Sequence, residues 1–194
     1  MGASAMNVTA VVLTRDNYAR EWPGLEVHVH RAVIRSVADQ QEARYQAALQ
    51  VKTKHWFWLD DDDDLPVDYL EVLEEGLALK MPLVYTDEII RSDSLGESRT
   101  CAGNYSQDQH FLNPLMVHHL ALYETTASHE AIRALPRGHF WPEMPLAWEV
   151  AKRGAAYLPR VGYIWNRKVG SGMHSWPSTI CGKMRARLWC KDHR

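Results

Sequence analysis

Between Thr9 and Thr86, short apolar runs alternate with helix-spaced segments, and few folds can accommodate that order. Thr9 to Thr14 (TAVVLT) reads as a buried strand, and Leu25 to His30 alternates strictly, with Leu25, Val27 and Val29 on one face. Ser36 and Asp39 have the S-x-x-D spacing of a helix start. That helix should run to about Val51, with Ala43, Ala47 and Val51 on its buried face. His55 to Leu59 returns as a strand. Pro66 suits the first turn of a second helix carrying Leu70, Leu73 and Leu77, and PLVYT at 82–86 is a further strand. Such an order implies an α/β sheet with helices packed on it, in which ligands gather beyond the carboxyl ends of the strands.

The second half is less regular. Residues 91–115, with Ser, Asp, Gly, Asn and Pro scattered through them, read as a long surface loop or lid. Ser128 to Leu135 reads as a short helix, Leu146 to Arg153 as another ended by Gly154, and Tyr157 to Trp165 as a late strand. A chain of 194 residues fits one domain, expected over 6–194, after a start at Met1 to Ala5 that resembles a cloning remnant. The longest aliphatic run, Ala10 to Leu13, is too short to cross a bilayer. Cys101, Cys181 and Cys190 show no CxxC spacing, which fits a reducing compartment, so a cytoplasmic location is expected. A zinc site from His174, Cys181, Cys190 and His193 matches no finger spacing.

HWFWLDDDDDLPVDYL, residues 55–70, places five aspartates in a row behind an aromatic strand, in a chain whose net charge is only −2. Mutual repulsion makes such a run costly unless positive charge meets it. Helix capping accounts for Asp63 and Asp64 ahead of Pro66, leaving Asp60 to Asp62 at the strand's tip. A hard divalent cation removes their repulsion, and Mg2+ or Mn2+ typically takes one or two carboxylates together with phosphate oxygens. Asp60, Asp62, Asp64, Asp68 and Glu71 also follow EF-hand spacing, but Leu65 stands where the loop needs Gly and the preceding segment is a strand.

EARYQAALQVKTKHWFWLDDDDDLPVDYLEVL resembles the core of family 2 glycosyltransferases of the GT-A fold, in which a helix with an Ala-Arg pair leads into a strand ending in a D-x-D motif. PLVYTDE is similar to that family's next strand. FWPEMPLAWEVAKRGAAYLPRVGYIWNRKVGSGMH is similar to its acceptor-side segment. The resemblance covers roughly residues 9–175 and implies a GT-A-like, mixed and mostly parallel sheet flanked by helices. It places the donor and metal half at about 6–90 and the acceptor half at about 110–175.

On that resemblance Asp60 and Asp62 form the D-x-D. Asp62 is the direct metal ligand, Asp60 lies nearer the donor's ribose or sugar, and Asp63 and His174 are further metal candidates. Arg44, Thr14 and Arg15 are donor-side candidates. Glu143 in WPEMP is the candidate base for the acceptor hydroxyl, with Asp87 and Glu88 in reserve. The cofactor implied is Mn2+ or Mg2+ and the partner a nucleotide-sugar. Small size resembles bacteriophage enzymes that act on hydroxymethylated pyrimidines, so DNA is one candidate acceptor and a host cytoplasm one candidate location. Five Lys/Arg within 182–194 would suit DNA.

The chain departs from the family in lacking a helix between its first two strands, and in carrying His30 and Arg31 where an acidic residue is expected. Pro142–Glu143 also replaces a Glu-Asp pair. The identity of the donor base is therefore open. Two other readings of the same features are a noncatalytic nucleotide- or metal-binding module and a nucleotidyltransferase. His28, His30, His110, His118 and His119 receive no role.

Overall fold

The computed structural model describes residues 6–137, 142–167, 188–190 and 192. A seven-stranded sheet forms from β1 (Val8–Thr14), β2 (Glu26–Arg31), β3 (His55–Asp60), β4 (Leu83–Ser92), β5 (Gly96–Thr100), β6 (Ala121–Glu124) and β7 (Ala155–Arg167). Around it lie α1 (Val37–Ala48), α2 (Tyr69–Ala78), α3 (Gln107–Leu112), α4 (Thr125–Ala134) and α5 (Glu143–Ala151). β1 lies parallel between β2 and β3, and β6 joins β3 to β4 antiparallel to both. β7 runs parallel to β4 along its whole length, while β5 folds back on the far end of β4 as a hairpin. The result is a mixed α/β sheet flanked by helices.

Side-chain alternation divides the core between the two faces of the sheet. Val8, Ala10 and Val12 of β1 and Phe57 and Leu59 of β3 pack with Leu73 of α2 on one face. Val11, Trp56 and Trp58 point the other way, onto Tyr45 and Ala47 of α1, Ala131 and Ile132 of α4, and Leu146 and Val150 of α5. A strand of continuous aromatics such as HWFWL is what such two-sided burial requires. Among the described residues, no helix is long and apolar enough to cross a membrane.

Local signals held at α1: the Asp39 amide donates to Ser36 Oγ at 3.1 Å, and the Arg35 amide donates to Asp39 Oδ2 at 2.9 Å. Two expectations need correction, and two features went unread. The 91–115 segment is not a plain loop but holds β5 and α3. Every residue of β5 is exposed, so no apolar alternation marks it. β6 escaped the sequence reading because it is only four residues long. Pro66 lies outside α2, which begins at Tyr69 after a turn whose Tyr69 amide donates to the Pro66 carbonyl. Finally, β2 is an edge strand whose apolar face is only partly covered, with Val29 38% exposed.

β7 carries residues that reach the aspartate turn, so its seat against β4 matters. The pairing shifts register between Thr86 and Glu88, and there Gly162 lies so close that a Cβ would meet Thr86 Oγ1 at 2.4 Å. Both atoms belong to paired strands and neither can yield cheaply. Gly162→Ala is expected to lower stability by about 1–3 kcal/mol in urea unfolding. An unchanged midpoint would show that the bulge relaxes freely.

Candidate functional site

β3 delivers its last residue, Asp60, to the carboxyl edge of the sheet, where the chain turns sharply: the Asp63 amide donates to the Asp60 carbonyl at 3.2 Å. The turn is then tied to β7. Asp64 and Ile164 exchange backbone hydrogen bonds of 3.0 and 2.9 Å, and Asn166 Nδ2 donates to the Asp62 carbonyl and to Asp64 Oδ2. Arg20 Nη1 donates to the Asp63 carbonyl and to Asp64 Oδ1. Asp63 and Asp64 therefore do not cap α2, whose N-cap residue is Asp68. They anchor the turn.

Asp63 is buried, with Oδ2 accepting from the Tyr163 hydroxyl at 2.9 Å and Oδ1 from the Asn166 amide at 2.7 Å. The Tyr163 oxygen in turn accepts the Asp60 amide. Burial, and next the Asp60 charge, push the Asp63 carboxyl up to about 7. Asp60 moves the opposite way. Burial works against its charge, but the Arg44 guanidinium, together with the nearby His119 and His118, outweighs this and holds it below the usual carboxylate range.

Arg44, on α1, is the pivot of the site. It is 4% exposed and its Cζ lies 5.3 Å from the Trp58 ring centre. Nη2 donates to Asp60 Oδ1 at 2.5 Å. Nη1 lies 2.8 Å from Glu143 Oε1, at an angle unsuited to a hydrogen bond, so that contact is electrostatic. One guanidinium thus holds the carboxylate ending β3 and the carboxylate opening α5. Glu143 is itself buried, and its Oε2 has no hydrogen-bond partner among the described residues.

The other expected residues fall as follows. Thr14 is buried at the end of β1, and its Oγ1 accepts the Asp16 amide. Arg15 lines an open cleft of about 310 Å³ with Arg31, Ala32, Val33 and Ile34, beside the ends of β1 and β2. Asp62 stands at the partly exposed tip of the turn. His174 lies outside the described residues. Asp87, a reserve base, is buried and accepts from Arg99, Tyr157 and the Ala102 amide, a structural role.

Sequence reading missed His118 and His119. The register that sets Tyr85 opposite Ala121, continued by the hydrogen bond from the Thr86 amide to the Leu120 carbonyl, carries both rings to Glu88. Burial pushes the Glu88 carboxyl up, but hydrogen bonds from His118 and His119 and their charges outweigh it and bring it down to about 2. The available signal was the adjacent His pair together with the acidic Asp87–Glu88 pair, which lies inside β4 rather than at its end because the strand runs on to Ser92, and without the register nothing joined them.

Two groups of donor atoms lie within 4.8 Å of one another: Asp60, Asp63 and His119, and Glu88, His118 and His119. Carboxylate oxygens with one imidazole fit Mn2+ and, through the oxygens, Mg2+, so the residues present suit the cation that a GT-A-like fold implies.

No protein-family model matches the sequence, and no curated protein matches it. Among solved structures, the chain is similar to S. aureus TarS 1-349 in complex with UDP-GlcNAc, with TM-score 0.63 and 11% identity over 88% of this chain and 61% of that one. TarS 1-349 in a second crystal structure gives 0.60 and 10% over 83% and 60%. TarS in a third gives 0.60 and 10% over 84% and 37%. This chain thus spans less than two thirds of each of these three chains.

Two outcomes test the site's electrostatics. Arg44→Met leaves two carboxylates without their shared cation, and should cost on the order of 3–5 kcal/mol in denaturant unfolding. A much smaller loss would mean that Asp60 and Glu143 do not depend on Arg44. Because the folded-state pKa of Asp63 is raised, its contribution is fully present below its ordinary value near 3.8 and is lost as pH rises through about 7. In chelator, Asp63→Asn should therefore remove a fall in melting temperature between those pH values. An identical slope in both proteins would contradict the assignment. With these contacts in place, the chain has a GT-A-like fold, a mixed sheet flanked by helices shared with the TarS structures, with its aspartate turn at the carboxyl end of the central strands.

Proposed function

We propose that this protein is a glycosyltransferase that moves a sugar from a nucleotide-diphosphate sugar to an acceptor hydroxyl. The observation that carries the reading is the aspartate turn at the carboxyl end of β3, joined through buried Arg44 to Glu143 in a fold shared with a structure that binds UDP-GlcNAc. A sheet of this kind binds ligands beyond the carboxyl ends of its strands, where Asp60 and Asp62 lie and where the cleft lined by Arg15 opens beside β1 and β2.

Asp60 and Asp62 would hold Mn2+ or Mg2+, with Asp63 and His174 as further ligands, and the bound cation would neutralise charge on the departing nucleoside diphosphate. Thr14 and Arg15 flank the donor at the end of β1. Arg44 keeps Asp60 in register with Glu143, acting as a positioning residue as well as a donor-side charge. Glu143 Oε2 takes the acceptor hydroxyl's proton while the acceptor oxygen bonds to the anomeric carbon and the bond to the diphosphate breaks. Transfer by this single displacement inverts the anomeric centre. The acceptor to try first is hydroxymethylated pyrimidine in DNA, which the five Lys/Arg of 182–194 would suit.

A thermal-shift panel of nucleotide-sugars, UDP-sugars included, with and without Mn2+, tests the donor site. Asp62→Ala should lose the manganese-dependent shift. Glu143→Gln should keep it while transfer falls by roughly 10²–10⁴. Undiminished transfer in Glu143→Gln would remove it as base, and pyrophosphate release from a nucleoside triphosphate would make the protein a nucleotidyltransferase instead.

A further inference from the structure

The aspartate turn does not account for Glu88, His118 and His119. Their side chains are 6%, 9% and 7% exposed, so three groups that prefer water are enclosed together. Both imidazoles direct Nδ1 at the same carboxylate oxygen: His118 Nδ1 is 3.2 Å and His119 Nδ1 3.1 Å from Glu88 Oε2, and His118 Nδ1 is 3.4 Å from Oε1. The two rings overlap face to face, tilted by 38° with centroids 3.6 Å apart.

At 3.1–3.4 Å these hydrogen bonds stand at the long end for an ionised carboxylate, whose bonds typically close to about 2.7–2.9 Å, and both imidazoles share one oxygen. The separations match the edge of a coordination polyhedron, since a tetrahedral cation bound at about 2.0–2.1 Å spaces its nitrogen and oxygen ligands about 3.3 Å apart. Two nitrogens and a carboxylate oxygen form a three-ligand set that leaves a position open. The chemistry of the set also selects the ion: imidazole suits Zn2+, Co2+ and similar borderline cations, whereas Mg2+ demands oxygen.

We propose that Glu88, His118 and His119 form a second cation site, specific for a borderline transition metal and filled without nucleotide. It sits between β4 and the segment entering β6, where the Thr86–Leu120 hydrogen bond holds the two chains in register. His119 also belongs to the group formed with Asp60 and Asp63, so the site adjoins the aspartate turn while drawing its own ligands from other elements. The site does not depend on the nucleotide-sugar reading.

Cobalt tests it directly, because Co2+ in a nitrogen-oxygen site absorbs in the visible. Chelator-stripped protein titrated with Co2+ in the absence of nucleotide should give a saturable band that a large excess of Mg2+ does not remove. His118→Ala should weaken Co2+ binding by more than the roughly 10–100-fold cost of losing an outer partner, whereas Asp62→Ala should leave it intact. No band, displacement by Mg2+, or loss in Asp62→Ala with retention in His118→Ala would overturn the site. If circular dichroism shows that His118→Ala does not fold, the Mg2+ competition on the unmodified protein decides alone.

Discussion

A single buried guanidinium organises the ligand edge of this protein. Arg44 is almost wholly removed from water, which is costly for a charge, and Asp60 on one side and Glu143 on the other compensate for it. Those carboxylates come from β3 and α5, elements far apart in the chain, and the arginine comes from α1. The position of three elements is thus coupled through one ion cluster. Trp58 below the guanidinium excludes water and makes the coupling stronger than a surface pair could be.

The aspartate run is stable for a reason that differs along its length. Asp60 is matched by Arg44, and Asp64 by Arg20 and Asn166. Asp63 is held by the Tyr163 hydroxyl and the Asn166 amide, and its raised pKa shows how much of its charge the neighbourhood resists. Asp61 is exposed and costs little. The run is therefore not five equivalent charges awaiting one cation. Donors on β7 fix the turn's shape and set it at the carboxyl edge of the sheet.

How much of this could be read beforehand depends on whether a residue's role is local. Ser36 and Asp39 announce α1, the aromatic run announces β3, and Gly154 marks the end of α5, because each acts through its sequence neighbours. β5 was illegible because both its faces meet solvent, and β6 because four residues carry too little pattern. The pairing of Arg44 with Glu143 spans about half the chain and leaves no periodic trace. The same holds for Glu88 with His118 and His119, where only the β4–β6 register brings the middle of β4 to the histidines.

The sequence by itself determined the α/β class and the placement of the acids at a strand's carboxyl end, whereas the candidacy of Asp60, Asp62, Arg44 and Glu143 rests on the resemblance to the GT-A glycosyltransferases. Alternating burial, helix capping and charge density are all written in neighbouring residues. Only the tertiary structure decided that Asp63 and Asp64 anchor the turn, that Arg44 joins Asp60 to Glu143, and that two histidines gather on Glu88. Those facts depend on which strands lie side by side. Strand order is set by packing the whole sheet between its helices, and no stretch of chain encodes it alone.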